Sequence, residues 1–152
     1  MPYVLPPLMI VCEGETDKVI LAHLVQRLLS TKFIERRVEI VPAQGKAIIP
    51  RMVRALEARL SPPSIAIVID SDGNKARTWS TVGTKLPKNK YSIVMAHPNV
   101  ESWVTTGGSK PRMQPATFTL AHLAEIVDLA ALQQLHPEFS DLVIAVTTVR
   151  HP

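Results

Sequence analysis

An α/β domain with a largely parallel central sheet of about four to five strands, flanked by helices, is what this sequence predicts. Three observations carry the expectation. Short aliphatic runs alternate with stretches of helical periodicity. The run Leu8–Cys12 is apolar, as a strand covered on both faces is. Some runs stop abruptly on an acid, with Cys12 running into Glu13 and Ile69 into Asp70. At 152 residues the chain suits one domain with one core. Its motif-bearing part lies over about residues 8–106, followed by a C-terminal helix and strand over 119–150.

The elements follow in chain order. Leu8–Cys12 is the first strand. Thr16 is placed to cap the next helix, where Val19, Ile20, Leu21, Leu24 and Leu28 recur at helical spacing. Val38–Val41 is a second strand, stopped by Pro42. Ala47–Leu60 reads as a helix, with Ile48, Ile49, Met52, Val53, Leu56 and Leu60 on one stripe, Pro50 in its first turn and Pro62 beyond its end. Ile65–Ile69 and Tyr91–Ala96 are the third and fourth strands. Val100–Thr105 begins a helix that Gly107 and Gly108 break, and residues 107–115 form a loop rich in Gly, Pro and basic side chains. Leu120–Leu135 is a single helix with its apolar face at Leu120, Leu123, Ile126, Val127, Ala130 and Ala131. Leu142–Val149 reads as a final strand.

Composition narrows the setting. The chain is 46% hydrophobic and 20% charged, ordinary for a soluble globular protein. No apolar run approaches the ~20 residues that span a bilayer, so no membrane is expected. The first apolar stretch lacks a basic start, is broken by Pro6 and Pro7 and runs into acid, unlike a signal peptide. A cytoplasmic protein is the expectation. The lone Cys12 excludes an internal disulfide and a Cys-rich zinc site, and its place in an apolar run suits a buried, inert thiol. A net charge of +4 is compatible with a polyanionic partner without deciding for one. Three Phe, two Tyr and two Trp are too few and scattered for a base-stacking platform.

The acids are the informative residues. In open parallel sheets ligands bind at the carboxyl ends of the strands, so acids placed there converge on one edge. Glu13 leaves the first strand, and a carboxylate there needs a cation, an arginine or a helix N-terminus to offset its desolvation. Asp17 can swing back to the same edge or, like Glu15, merely favour the helix N-terminus. Asp70 and Asp72 leave the third strand at i and i+2 and can face one ion together, with oxygen donors that suit Mg²⁺. An ordinary Asp-Ser-Asp-Gly turn is the plainer reading of the same residues. Glu101 follows the fourth strand at a helix start, where it could bind a second ion or pair with the helix dipole. His97 is either a ligand, a base or a structural side chain, and Trp103 packs.

Basic residues supplement them. Gly45 and Lys46 lie at the turn between the second strand and the second helix, where amides and a lysine can hold a phosphate. The Walker spacing is absent. Lys110 and Arg112, in the Gly/Pro-rich loop, could contact backbone phosphates or be solvated surface cations.

Taken together, Ile10-Val-Cys-Glu-Gly-Glu-Thr-Asp17 and Asp70-Ser-Asp72 resemble the strand-EGxxD/E and DxD motifs of the Toprim domain. That domain is shared by topoisomerases, primases and the overcoming-lysogenization-defect (OLD) family nucleases. Pro42-Ala-Gln-Gly-Lys46 and Asn99-Val-Glu-Ser-Trp103 look more like the OLD-type branch. The resemblance implies a Rossmann-like Toprim sheet and a Mg²⁺- or Mn²⁺-dependent, endonuclease-like phosphodiesterase acting on nucleic acid, DNA before RNA. It implies that Glu13, Asp70 and Asp72 hold the metal as catalytic residues, with Asp17 and Glu101 helping to hold a second ion. In such a site two cations clamp attacking water and leaving oxygen; with only one, Glu13 could act as general base or acid. Family nucleases commonly carry an ATPase or other partner domain, and this sequence shows none. A separate ATPase or recognition protein is therefore an expected partner, unless the chain works alone or is part of something longer.

Other readings compete. The same Asp70-Ser-Asp72-Gly resembles the DxDG motif of haloacid-dehalogenase-type phosphatases, with Asp70 as nucleophile. That motif normally opens its domain, whereas two strand–helix units precede it here. A non-catalytic module that binds metal and nucleic acid for a partner enzyme is the other alternative.

Overall fold

The computed structural model describes residues 3–86, 91–106 and 117–149. Four parallel strands form the main sheet: β2 (Leu8–Cys12), β4 (Val38–Pro42), β5 (Ser64–Asp70) and β6 (Ser92–Ala96), in spatial order β4-β2-β5-β6. Two short strands, β1 (Tyr3–Val4) and β3 (Ile34–Glu35), pair in parallel before them. They continue the same ladder, since Leu5 N–H donates to Glu35 O and Leu8 N–H to Arg37 O. Pro6 and Pro7 have no N–H to donate, so the ladder lapses there and one long strand becomes two.

The two central strands, β2 and β5, are covered on both faces, the reason their residues read as unbroken aliphatic runs. Leu8, Ile10 and Cys12 of β2, with Ala66 and Val68 of β5, face a core shared with α1 (Glu15–Thr31), α4 (Val100–Thr106) and α5 (Thr117–Ile126). Met9, Val11, Ile65, Ile67 and Ile69 face the opposite core, packed against α2 (Ile49–Glu57). Crossovers between parallel strands are right-handed, so leaving β2 for β4 and then returning past it to β5 puts α1 and α2 on opposite faces. The reversal lies between β2 and β5, and that is the switch point where open α/β sheets bind ligands. The fold is thus the Rossmann-like α/β sheet that the sequence predicts.

Several local expectations change. The N-cap of α1 is Gly14, with no side-chain cap bond, rather than Thr16. The second helix is shorter than Ala47–Leu60: a 3-10 turn over Lys46–Ile48 precedes α2, which keeps Pro50 in its first turn. Residues after Asp72 form α3 (Lys75–Thr81), where no helix was expected, capped by Asn74 Oδ1 accepting from Arg77 N–H at 3.0 Å. Leu120–Leu135 is two helices, α5 and α6 (Leu129–Leu135), because Asp128 caps a new start by accepting from the amides of Ala130 and Ala131. The final segment is α7 (Phe139–Thr147) and not a strand. Its β-branched residues suggest a strand, yet Phe139, Leu142, Ala145 and Val146 bury on one helical face against α1 and β6. Packing outweighs the weak local propensity.

Arg36 anchors that last helix. Its buried guanidinium donates to the carbonyls of Ala145, Val146 and Thr148 at 2.8–3.1 Å and to Pro6 O at 2.7 Å. Those of Ala145 and Val146 are among the carbonyls a helix C-terminus leaves unpaired. No helix among the described residues is long and apolar enough to cross a membrane.

Candidate functional site

Glu13 emerges from the centre of the sheet, and its surroundings hold it there. Its backbone O accepts from the amides of Gln44 (2.8 Å) and Gly45 (3.1 Å), which ties the β4–α2 loop to the end of β2. Its side-chain Oε2 accepts from Asp70 N–H at 2.5 Å, so the carboxylate supplies the partner that β5 lacks once the ladder ends. Asp70 in turn holds the start of α4, its Oδ1 accepting from Val100 N–H at 2.9 Å. Asn99 completes that start, its Oδ1 accepting from Ser102 N–H at 2.9 Å. Glu101 is thereby placed in the first turn of α4. Asp17 is buried and accepts from Gly14 N–H, the N-cap amide of α1, as the third helical residue of a capping box does.

The charges report that these groups face one another. Burial, then Asp17 and Glu13, push the Asp70 carboxyl up to about 8. Burial, then Glu13 and Glu101, push Asp17 up to about 6. Burial raises Glu13 as well, against the pull of the Asp70 amide and Lys46. Among the described residues no ion pair reaches Glu13, Asp17, Asp70 or Glu101. The cluster therefore holds more negative charge than its surroundings neutralise, and a proton or a cation must make up the difference. Cys12, just inside, is buried and raised to about 12, mainly by desolvation and then by Asp17. It stays a neutral, inert thiol, as its sequence context suggests.

Asp72 bears on that group as well, its charge raising Glu13, Asp17 and Asp70, while its own carboxylate also has a cation beside it. It adopts φ 51°, with Gly73 at φ 81°, in a tight turn whose Asp72 N–H donates to Pro98 O. Its Oδ2 lies 2.7 Å from Lys46 Nζ, and its side chain is 65% exposed. Lys46 also reaches Thr78 Oγ1 at 3.4 Å. The lysine expected to hold phosphate thus already has an anionic partner, one of the expected metal ligands. Gly45, at φ 140°, is required for the turn, and its N–H is committed to Glu13. The Gly45 amide expected to meet a phosphate is therefore taken up by the chain itself. Lys110 and Arg112 lie outside the described residues.

Some residues that shape the site are silent in the sequence. Ser71 is buried, and its Oγ accepts from Gly73 N–H and bonds His97 Nδ1 at 2.6 Å. His97 thus has a partner, and its ring is exposed at the sheet edge. Glu138, far along the chain, accepts at Oε2 from His97 N–H (2.8 Å) and Trp103 Nε1 (3.1 Å). Trp103 is fully buried against Phe139, edge to face at 5.3 Å, and so does pack. Nothing in the local sequence of Glu138 signals this role, because its partners come from other elements.

A divalent cation fits these residues in a limited sense. Among the described residues no three His, Cys, Asp or Glu side chains form a ready-made metal cage. Mg²⁺ usually needs less, taking one or two carboxylates and completing its shell with water and substrate phosphate. Glu13 and Asp70 each use one oxygen internally and leave the other without a hydrogen bond among the described residues. That donor set is all oxygen and anionic, as a hard cation requires.

No curated protein matches the chain. A family model described as a protein of unknown function, DUF3226, matches residues 7–117. That span takes in Glu13, Asp17, Lys46, Asp70, Asp72 and Glu101, and on its extent the chain belongs to the DUF3226 family.

Proposed function

We propose that the chain is a Toprim-type nuclease domain, closest to the OLD branch, that cleaves nucleic-acid phosphodiesters with Mg²⁺ or Mn²⁺. The observation that carries this reading is that Glu13, Asp17 and Asp72 all raise Asp70 at the sheet's switch point, with Glu101 acting on Asp17, and that no ion pair reaches Glu13, Asp17 or Asp70 among the described residues. Bound there, the cation supplies charge neutralisation for the phosphodiester and lowers the pKa of water. Glu13, Asp70 and Asp72 would hold the cation where β2 and β5 end, with Glu13 and Asp70 each oriented by a backbone amide. Asp17 and Glu101 sit beside them on helix starts and serve a second ion. Lys46, next to Asp72, offers positive charge to the entering strand. We assign the work to the cytoplasm, with DNA ahead of RNA as substrate and a separate ATPase or recognition protein as the partner.

Purified protein incubated with Mg²⁺ or Mn²⁺ and supercoiled DNA, single strands or RNA should cut at least one of them, and chelation should stop it. Metal binding with no cleavage of any substrate favours the second reading, a binding module serving another enzyme. The missing ready-made cage is the observation on its side.

Further expected results arise from these contacts. Lys46→Ala removes the cation on Asp72, so it should tighten metal binding while weakening nucleic-acid binding across sequences. The log–log salt slope of binding should flatten by about one charge. Titrations of metal and of an oligonucleotide at several salt concentrations check both, and unchanged slopes would return Lys46 to a purely structural role. Glu101→Gln should slow cleavage without abolishing it, because Glu101 lies on the helix side of the cluster and Glu13 and Asp70 remain. Mn²⁺ should recover more of that loss than Mg²⁺, which demands near-ideal geometry. A Glu101→Gln protein as fast as the wild type in both metals would remove Glu101 from the site.

A further inference from the structure

Beside the acids lies a cavity of about 320 Å³ between the Asp70–Asp72 turn, Lys46 and the exposed side of α3. Polar and apolar surface share its lining, with Lys46 and Arg77 supplying cations, Asn74 an amide and Thr81 a hydroxyl. The single carboxylate of the lining, Asp72, is already matched by Lys46 at 2.7 Å. Arg77 is exposed and has no ion pair among the described residues, so the cavity keeps an uncompensated positive charge. The lining carries neither an aromatic ring nor an aliphatic side chain. A base would find no surface to stack on, whereas a phosphate and its sugar would find donors. The volume is at the low end for small-molecule sites and suits one unit, not several.

We propose that this cavity is a subsite for one sugar–phosphate unit of a nucleic-acid strand, with the phosphate held by Arg77 and Lys46. The proposal rests on the nuclease reading and extends it, because it names how the strand beside the cut is gripped. Arg77 adds to the reaction by binding and touches no reacting atom. Recognition through phosphate and sugar alone is independent of base sequence. Lys46 lies on the border, since it faces Asp72 on one side and the cavity on the other. A cation drawn to Asp72 would release Lys46 toward the phosphate, so metal and strand should favour each other's binding.

Calorimetric titration with thymidine 5′-monophosphate, in chelator, tests the subsite without cleavage or metal. The wild type should bind the monophosphate and leave thymidine unbound at the same concentrations. Arg77→Ala should weaken the monophosphate about tenfold, the loss of a charge-assisted hydrogen bond, and Arg77→Lys should recover part of it. Because Arg77 is exposed, neither change threatens the fold. In cleavage assays Arg77→Ala should raise KM about tenfold with kcat nearly unchanged, as removal of uniform binding does. Equal monophosphate binding by wild type and Arg77→Ala, or thymidine binding as well as its phosphate, overturns the subsite. Cleavage with an unaltered KM in Arg77→Ala overturns it too and leaves the nuclease reading standing. Monophosphate binding with no cleavage of any nucleic acid supports the cavity and removes the nuclease reading instead.

Discussion

Glu13→Gln should abolish metal-dependent cleavage and leave the protein folded. The glutamine amide keeps an oxygen that can accept from Asp70 N–H, so the bond that ties β2 to β5 survives. What disappears is the negative charge at the centre of the cluster. Cleavage depends on placing ligands and substrate to within a fraction of an ångström, and Glu13 directly follows the fully buried strand β2. The loss should bring the rate to that of the chelated wild type. Nucleic-acid binding should persist or strengthen, because one charge that repels phosphate is gone. Circular dichroism, a binding titration and a cleavage time course on the same preparation check all of this. A folded Glu13→Gln protein that cuts at the wild-type rate would sink the nuclease mechanism.

The second large effect concerns charge and stability. Asp70 titrates near 8 in the folded chain against an ordinary value of 3.8, and Asp17 near 6. A carboxyl whose pKa is raised by folding binds its proton more tightly when folded. The folded state is therefore favoured below pH 4, and that stability is lost as pH rises from about 4 to about 8. Metal-free wild type should melt lower at pH 8 than at pH 5. Mg²⁺ should restore the loss, by roughly 5–10 °C at a hundredfold excess over Kd. Asp70→Asn with Asp72→Asn should melt higher than wild type at pH 8 without metal and gain nothing when metal is added. Its melting temperature should also vary less across pH 5–8. The Lys46–Asp72 pair lost in this variant is largely exposed on the Asp72 side and costs little. A double variant that keeps the wild-type response to metal would place the cation elsewhere.

The carboxyl-edge acids were legible in the sequence for a simple reason. Glu13 and Asp70 each end an aliphatic run, and a buried parallel strand delivers whatever follows it to the ligand edge. Asp17 was ambiguous from sequence because a capping role and a role at the edge use the same position. The structure gives it both: it accepts the Gly14 amide while facing Glu13 and Glu101. Asp72 likewise has two roles: its charge reaches Glu13, Asp17 and Asp70 as the spacing suggests, and the turn at φ 51° also brings its carboxylate to Lys46, which the sequence does not show.

The places of the buried strands along the chain and the delivery of Glu13 and Asp70 to strand ends are thus properties of the sequence itself, since aliphatic runs and the residues that stop them are local; the spatial order of the strands is not. Other features came into view only with the structure, some from local chemistry and some from long-range packing. It made Leu142–Val149 a helix, where packing on α1 and β6 overrode β-branched propensity. It split one long helix at Asp128 and one long strand at Pro6 and Pro7. It brought Glu138 to His97 and Trp103, and Arg77 to Lys46 across a cavity. Those pairings join residues far apart in the chain, and their energies arise only once the two cores have closed on the sheet.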